Sequence, residues 1–360
     1  MKFQKYFAFC FLTVGLLFSF GCSQNSNQTT TNTNSVIPAN NNSQTEVSNT
    51  VPSIDSLNKT VYTAFIINTH DWANPELSIA TLNKIIDLHE EYQTPVDIYL
   101  DDPVVQIYQE QAPDLIERLK TSPYVAVSYH LRPPYPYYWD FDWLDLDKMK
   151  NNDLATLLLN YEEHEIDLST GQPTIEPGGY QLLKDLMGYP PYTAVVMGSR
   201  KVMPLLAEIY KDKGALFTLT HSGTTGWGEV QNGLWMRPES QEVKVYEPRG
   251  RKSGEDILTE NLAQIGTNLP AFMNLKWHED NFYTSGTPWG PVYWTDEKER
   301  GTLSPPYDLS QAMVGVKVKT QAEKDEQWTR YEECLSYVKN HPEIFTAINA
   351  KELTNMFEGK

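Results

Sequence analysis

The sequence predicts an α/β protein, a distorted (β/α)7–8 barrel with long aromatic-rich loops at the C-terminal rim of its strands. Three observations lead there. From Val61 onward, short apolar runs alternate with amphipathic stretches, the pattern of a parallel sheet with helices outside it. Seven or eight such runs share the 360 − 57 = 303 residues that follow position 57, a length that suits a closed barrel with insertions better than an open sheet. Neither a G-x-G-x-x-G nor a P-loop occurs in the chain, so a nucleotide-binding sheet has no support.

The elements follow in order. "VYTAFIIN" (61–68) reads as a strand, and "SIATLNKIIDLHEEY" (78–92) as a helix with Ser78 as its N-cap. "VDIYL" (96–100) is a second strand, followed by a helix over 104–120 that Pro113 interrupts or kinks. "YVAVSYH" (124–130) is a third strand, after which "LRPPYPYYWDFDWLD" is too rich in Pro and aromatics for regular structure. A helix near 151–168, strands at 192–198 and 215–221 with a helix between them, and a strand at 242–247 come next. Helix 254–265, strand "AFMNLKWH" (271–278), helix 321–340, a short "FTAIN" strand and helix 350–357 close the series.

The chain before Asn58 has a different character. Lys2 and Lys5 precede the uncharged apolar run 6–20, a secretory signal too short for a confident membrane span. It ends in "SFGCSQ", which resembles the lipobox of bacterial lipoproteins, with Cys22 as the lipidated residue; Ser19 stands where that motif has Leu. Residues 22–57 are dominated by Asn, Thr, Ser and Gln and cannot bury enough apolar surface to offset chain entropy. The expected organisation is therefore signal (1–21), disordered linker (22–57) and one barrel domain (58–360), exported and anchored to the bacterial cell envelope. With Cys10 removed and Cys22 lipidated, Cys334 is the only thiol left in the fold and no internal disulfide is possible. A net charge of −18 argues against nucleic acid and against a polybasic membrane contact.

In a parallel barrel, chemistry gathers where the strands end. The first strand ends in His70-Asp71, the second in Asp101-Asp102, the third in His130 followed by Arg132, the strand at 215 in His221, and "LKWH" in His278-Glu279-Asp280. Four of the seven histidines thus fall at strand ends, while His89, His164 and His341 fall in charged helices or at a helix end. A lone strand-end His is usually a hydrogen-bonded loop residue, and Asp101-Asp102-Pro103 is equally a helix N-cap signal. The shared rim is what favours a common site. Imidazole and carboxylate ligands with open positions suit a divalent first-row metal, Zn²⁺ first among them, with neighbouring groups left to move protons. Aromatic loops follow the same strand ends, and Trp72, Tyr137, Trp139, Trp227 and Trp289, with Arg132, are the candidates for contact with sugar rings.

"NTHDW", "TPVDIYLDD", "VSYHLRPP" and the closing "YVKNHPEIFTAINAKELTNMF" together resemble the NodB-type polysaccharide deacetylases of the glycoside hydrolase/deacetylase superfamily. That resemblance implies a distorted seven-stranded barrel and a metal-dependent hydrolase that removes acyl groups from carbohydrate. It implies His70 as base, Asp71 and His130 as metal ligands, and His278 as acid; the strand ends add His221 as a possible third ligand, with Glu279 and Asp280 orienting. The chain departs from the family twice: His70 stands where the family has an Asp base, and Pro134 stands where it has a second His. A glycan-binding lipoprotein that keeps the barrel without catalysis is the alternative that this departure leaves open.

Overall fold

The computed structural model describes residues 51–219, 223–245, 252–295 and 301–360. Its centre is a parallel sheet in which Val61–Thr69 lies between Val96–Leu100 and Ala271–His278. Val125–Tyr129 pairs outside Val96–Leu100, and Gln241–Lys244 outside Ala271–His278. The sheet continues past both edges. Tyr129 bridges Ala194, Thr193 bridges Phe217, and Phe217–Thr218 pairs with Leu234–Met236, all in parallel. Residues 237–240 then carry Leu234–Met236 into Gln241–Lys244, with the Arg237 amide donating to Thr218 O (2.7 Å) and the Ser240 amide to Phe272 O (2.8 Å). The circuit closes: a distorted barrel of parallel staves, wrapped by helices, as the strand–helix alternation predicts.

Several boundaries differ from expectation, each for a tertiary or stereochemical reason. The first helix is Pro75–Glu91, begun by Pro75 in its first turn, where a missing N–H costs nothing. Ser78 lies inside that helix, buried, with its hydroxyl 2.6 Å from Tyr108 Oη. Pro113 likewise starts a new helix, giving Asp102–Gln111 and Pro113–Thr121. The helix expected over 151–168 ends at Tyr161. Beyond it, Asp102 Oδ2 accepts the Ile166 amide at 3.1 Å, drawing His164–Ile166 out to pair with Pro173–Pro177. Asp102 Oδ1 accepts the Gly179 amide at 2.9 Å. At Gly179 (φ +59) a Cβ would lie 2.6 Å from Glu162 C, so only glycine fits that turn. The strand expected at 192–198 shrinks to bridges at Thr193 and Ala194, and of that expected at 215–221 the described residues, which stop at 219, keep Phe217–Thr218.

The outer face of the staves packs against helices. Phe65 stacks on Trp277 (6.0 Å), Trp277 meets Tyr331 of helix Gln321–Asn340 (4.7 Å), and His89 is hydrogen-bonded to Thr94 O and Tyr331 Oη. Inside the barrel the lining is polar. Arg237 pairs with Asp97 at 2.5 Å, Lys276 with Glu239 (2.9 Å) and Glu242 (3.0 Å), and Asn274 with Glu239 (2.7 Å). Alternation along a strand puts Asn274, Lys276 and His278 on this inner face and Leu275 and Trp277 on the outer.

At the N-terminal end of the staves, Tyr62, Phe217, Phe272, Ile348, Leu353 and Phe357 form a second apolar cluster. Val51 and Leu57 pack on it, and Pro52 O accepts the Trp227 indole N–H at 2.8 Å. Residues 51–57, expected to be the end of a disordered linker, are therefore docked on the barrel. Cys22 and the rest of the expected signal and linker lie outside the described residues. Among the described residues no helix is long and apolar enough to cross a membrane.

Candidate metal centre at the barrel mouth

Asn68 of the first strand sits in register with His278. His70 lies two residues further on, and the barrel's alternation turns it to the same inner face as Asn68. The two imidazoles meet edge to face, centroids 4.7 Å apart, and Asp280 Oδ2 stands 3.6 Å from His70 Nε2. One donor atom from each of His70, His278 and Asp280 lies within 4.8 Å of the others, the arrangement of a cation site. Several buried polar atoms here have no partner: His70 Nδ1, Asp280 Oδ1 and Glu279 Oε2. Buried polar atoms are normally satisfied, so orphans on two of three convergent donors fit a cation better than a packing cluster.

The surroundings hold this geometry. Trp289 is buried and packs edge-on against His70 at 5.5 Å. Glu279 Oε1 accepts the amides of His70 (2.7 Å) and Asp71 (2.5 Å), tying the end of the last strand to the end of the first. Burial, with Arg132 nearby, holds the His70 imidazole well below its usual range, which keeps it neutral and able to ligate. Burial pushes the Asp280 carboxyl up, while His278, Arg132 and Lys319 oppose that shift.

His278 is the member that opens to solvent. It borders a cavity of about 220 Å³ walled by Ile66, Asn68, His130, Arg132, Tyr138, Trp139, Leu219, Glu242, Lys244 and Lys276. His70 and Asp280 lie behind it, at 2 % and 1 % exposure.

Of the residues expected to hold a metal, neither Asp71 nor His130 joins this group. Asp71 spends its carboxylate on the amides of Ala73 and Asn74, on Asn74 Nδ2 and on Tyr283 Oη (2.6 Å). It anchors the turn into the first helix, and burial raises its pKa to about 6. His130 lines the cavity, but Arg132 Nη1 stands 2.8 Å from its Nε2, and its Nδ1 is 2.7 Å from Leu131 O. The same Nη1 is 2.7 Å from Nδ1, so the guanidinium covers both ring nitrogens. His221 lies outside the described residues. The residues expected to carry protons, His70 and His278, are instead the ones that converge with Asp280.

The aromatic candidates divide as well. Trp139 is 47 % exposed on the cavity wall, and Arg132 is there too. Tyr137 is buried with its hydroxyl on Glu162 (2.7 Å), Trp289 lies beneath His70, and Trp72 packs on Tyr293. Trp227 stacks on Phe272 (5.6 Å) in the cluster at the opposite end of the barrel, so its place at the mouth is corrected. The loop that carries it turns down because the buried strand end Leu234–Met236 follows within a few residues. Asp101 caps helix Asp102–Gln111 through Val104 N, the structural alternative weighed for it. Sequence reasoning passed over Asn68, Tyr138, Glu242, Lys244 and Lys276. The period of two was the available signal, since Lys276 shares a face with His278, and Lys244 with Glu242.

No family model matches the chain, and no curated protein sequence does. Among solved structures it is similar to a 4-alpha-glucanotransferase from Thermococcus litoralis, with a TM-score of 0.44, 10 % identity and 82 % of this chain covered. This chain spans 40 % of that enzyme's length. It is similar to the peptidoglycan deacetylase PdaC from Bacillus subtilis, with a TM-score of 0.38 and 12 % identity over 84 % of this chain and 93 % of that one. It is also similar to a CE4 family pseudoenzyme from Bacillus anthracis, with a TM-score of 0.33 and 10 % identity over 62 % and 57 % of the two chains. Overlaps this loose carry no chemistry, so the functional reading rests on the site.

Proposed function

We propose that this chain is a metal-dependent carbohydrate hydrolase of the deacetylase type, held at the bacterial envelope through lipidated Cys22. The observation that carries the reading is the convergence of His70, His278 and Asp280, of which His278 borders a cavity faced by Tyr138 and Trp139 and the other two lie buried behind it. These three would hold a divalent metal such as Zn²⁺, which supplies a polarised carbonyl and a water of lowered pKa. Glu279 and Trp289 set the orientation of His70. Tyr138 and Trp139 offer ring faces to the sugar. His130 stands on the same wall with its ring held by Arg132, so it helps to place that guanidinium.

A second reading is a glycan-binding module without catalysis. It is favoured by Pro134 at the family's second His position and by the depth at which His70 and Asp280 are buried. Metal analysis of the purified chain, with acetate release from an acetylated glycan, separates the two. One equivalent of metal, retained in Asp71→Asn and lost in His278→Ala together with acetate release, supports the hydrolase. A metal-free chain that binds sugar and releases no acetate supports the module.

A further inference from the structure

Two of three buried cations in the barrel are paired: Arg237 with Asp97 at 2.5 Å, and Lys276 with Glu239 and Glu242. Arg132 is the third, at 6 % exposure, and it makes no ion pair among the described residues. Its Nη1 meets the His130 ring and Leu131 O, while its Nε and Nη2 have no hydrogen-bond acceptor there and keep access to the cavity. The buried carboxyls of Asp101 and Asp280 feel its charge without pairing with it. Buried charges are almost always paired, because leaving one alone forfeits its hydration without return. A guanidinium so placed, with donors to spare, is the fork that matches a carboxylate.

The surroundings support that match. Arg132 faces the same cavity as His278, and the guanidinium lies 5.4 Å from the centre of the Tyr138 ring. Lys244 stands half-exposed at the same wall, 3.8 Å from Glu242. In a chain of net charge −18, this wall carries Arg132, Lys244 and Lys276 against the single carboxylate Glu242.

We infer that the cavity is a subsite for an acidic sugar, whose carboxylate is gripped by Arg132 while its ring lies against Tyr138 and Trp139. The inference rests on the reading of the mouth as a carbohydrate site and narrows its substrate to carboxylated glycans. Arg132 is a binding residue here, and no bond is made or broken at it.

The test is calorimetric binding of an acetylated uronic-acid oligosaccharide and of its carboxyl-reduced, neutral counterpart to the purified chain. The parent is expected to prefer the acidic form by tenfold or more. Arg132→Gln should erase the preference, and Arg132→Lys should keep part of it, since the charge remains without the fork. His278→Ala should leave the preference intact. That last variant separates the two claims: loss of acetate release with the preference retained tells against nothing in the subsite. Equal binding of both sugars by the parent overturns the inference, as does a preference that survives in folded Arg132→Gln. Should Arg132→Gln not fold, Arg132→Lys decides: an undiminished preference there counts against the fork. An inorganic phosphate control that displaces the sugar no better than chloride excludes a general anion site, and displacement at equal affinity overturns the carboxylate assignment.

Discussion

Removing the Glu279 carboxylate should loosen both the barrel and the proposed metal centre. Its Oε1 is the acceptor for two buried amides, those of His70 and Asp71, and Ser78 Oγ lies 3.4 Å away. Glu279→Ala would leave both amides without a partner and open a cavity beneath the first strand's end. At roughly 1–3 kcal/mol for each unsatisfied buried group, the two amides alone come to about 2–6 kcal/mol. For a fold of about 300 residues, with an unfolding entropy of about 2.1 cal/mol/K per residue, that corresponds to a fall in melting temperature of roughly 3–9 °C. Glu279→Gln keeps a carbonyl oxygen for both amides and should lie within about 1 kcal/mol of the parent. Urea unfolding followed by tryptophan fluorescence measures the stabilities, and metal content of the same samples reports on His70, whose backbone the carboxylate holds. The alanine variant should lose metal and the glutamine variant should keep it. If Glu279→Ala unfolds within 1 kcal/mol of the parent, the two amides have other partners and the strapping role is wrong.

Two further outcomes are expected. Burial raises the Asp101 pKa to about 8, well above the usual carboxylate range. The folded chain therefore holds a proton that the unfolded chain releases, and Asp101 costs stability as pH rises from about 4 to 8. Asp101→Asn, an equally good N-cap, should gain on the parent across that window, by at most about 1.4 kcal/mol per pH unit, with the difference constant below the window and constant at its full value above it. A difference between the two chains that does not change with pH in denaturant titrations speaks against this. Trp227→Ala should cost about 3 kcal/mol, because it removes a ring packed on Phe272 and Phe357. It should leave sugar affinity unchanged, and weaker sugar binding by the folded variant would return Trp227 to the mouth.

How much of this was legible in the chain varies with how local the cause is. Helix Gly254–Ile265, strand Ala271–His278 and helix Gln321–Asn340 occur where their periodicity places them, because each buries one face along its own length. Capping was legible in part: Asp101 caps its helix as its sequence allowed, while Ser78, the expected cap of the first helix, lies inside it, and the capping boxes at Ser253 and Thr320 were passed over. The helix that ends early at Tyr161 was not legible, since the acceptor that pulls Ile166 away is Asp102, 64 positions earlier. The gathering of His70, His278 and Asp280 at one rim follows from parallel strands ending together, and strand ends can be read in a sequence.

The assignment of roles among those residues could not be read. Asp71 is adjacent to His70, yet adjacent residues at a strand's end point to opposite sides, and the turn with Asn74 and Tyr283 takes its carboxylate. Trp227 looked like part of the rim because it follows a strand, and the antiparallel return of Val230–Gln231 onto Leu234–Met236 sends it to the far end. The sequence by itself determined the alternation of strand and helix, the barrel and the strand-end histidines, because periodicity and side-chain chemistry are properties of short segments. Only the tertiary structure decided which donors converge and that Arg132 is buried without an ion pair, because those depend on side chains brought together from distant parts of the chain.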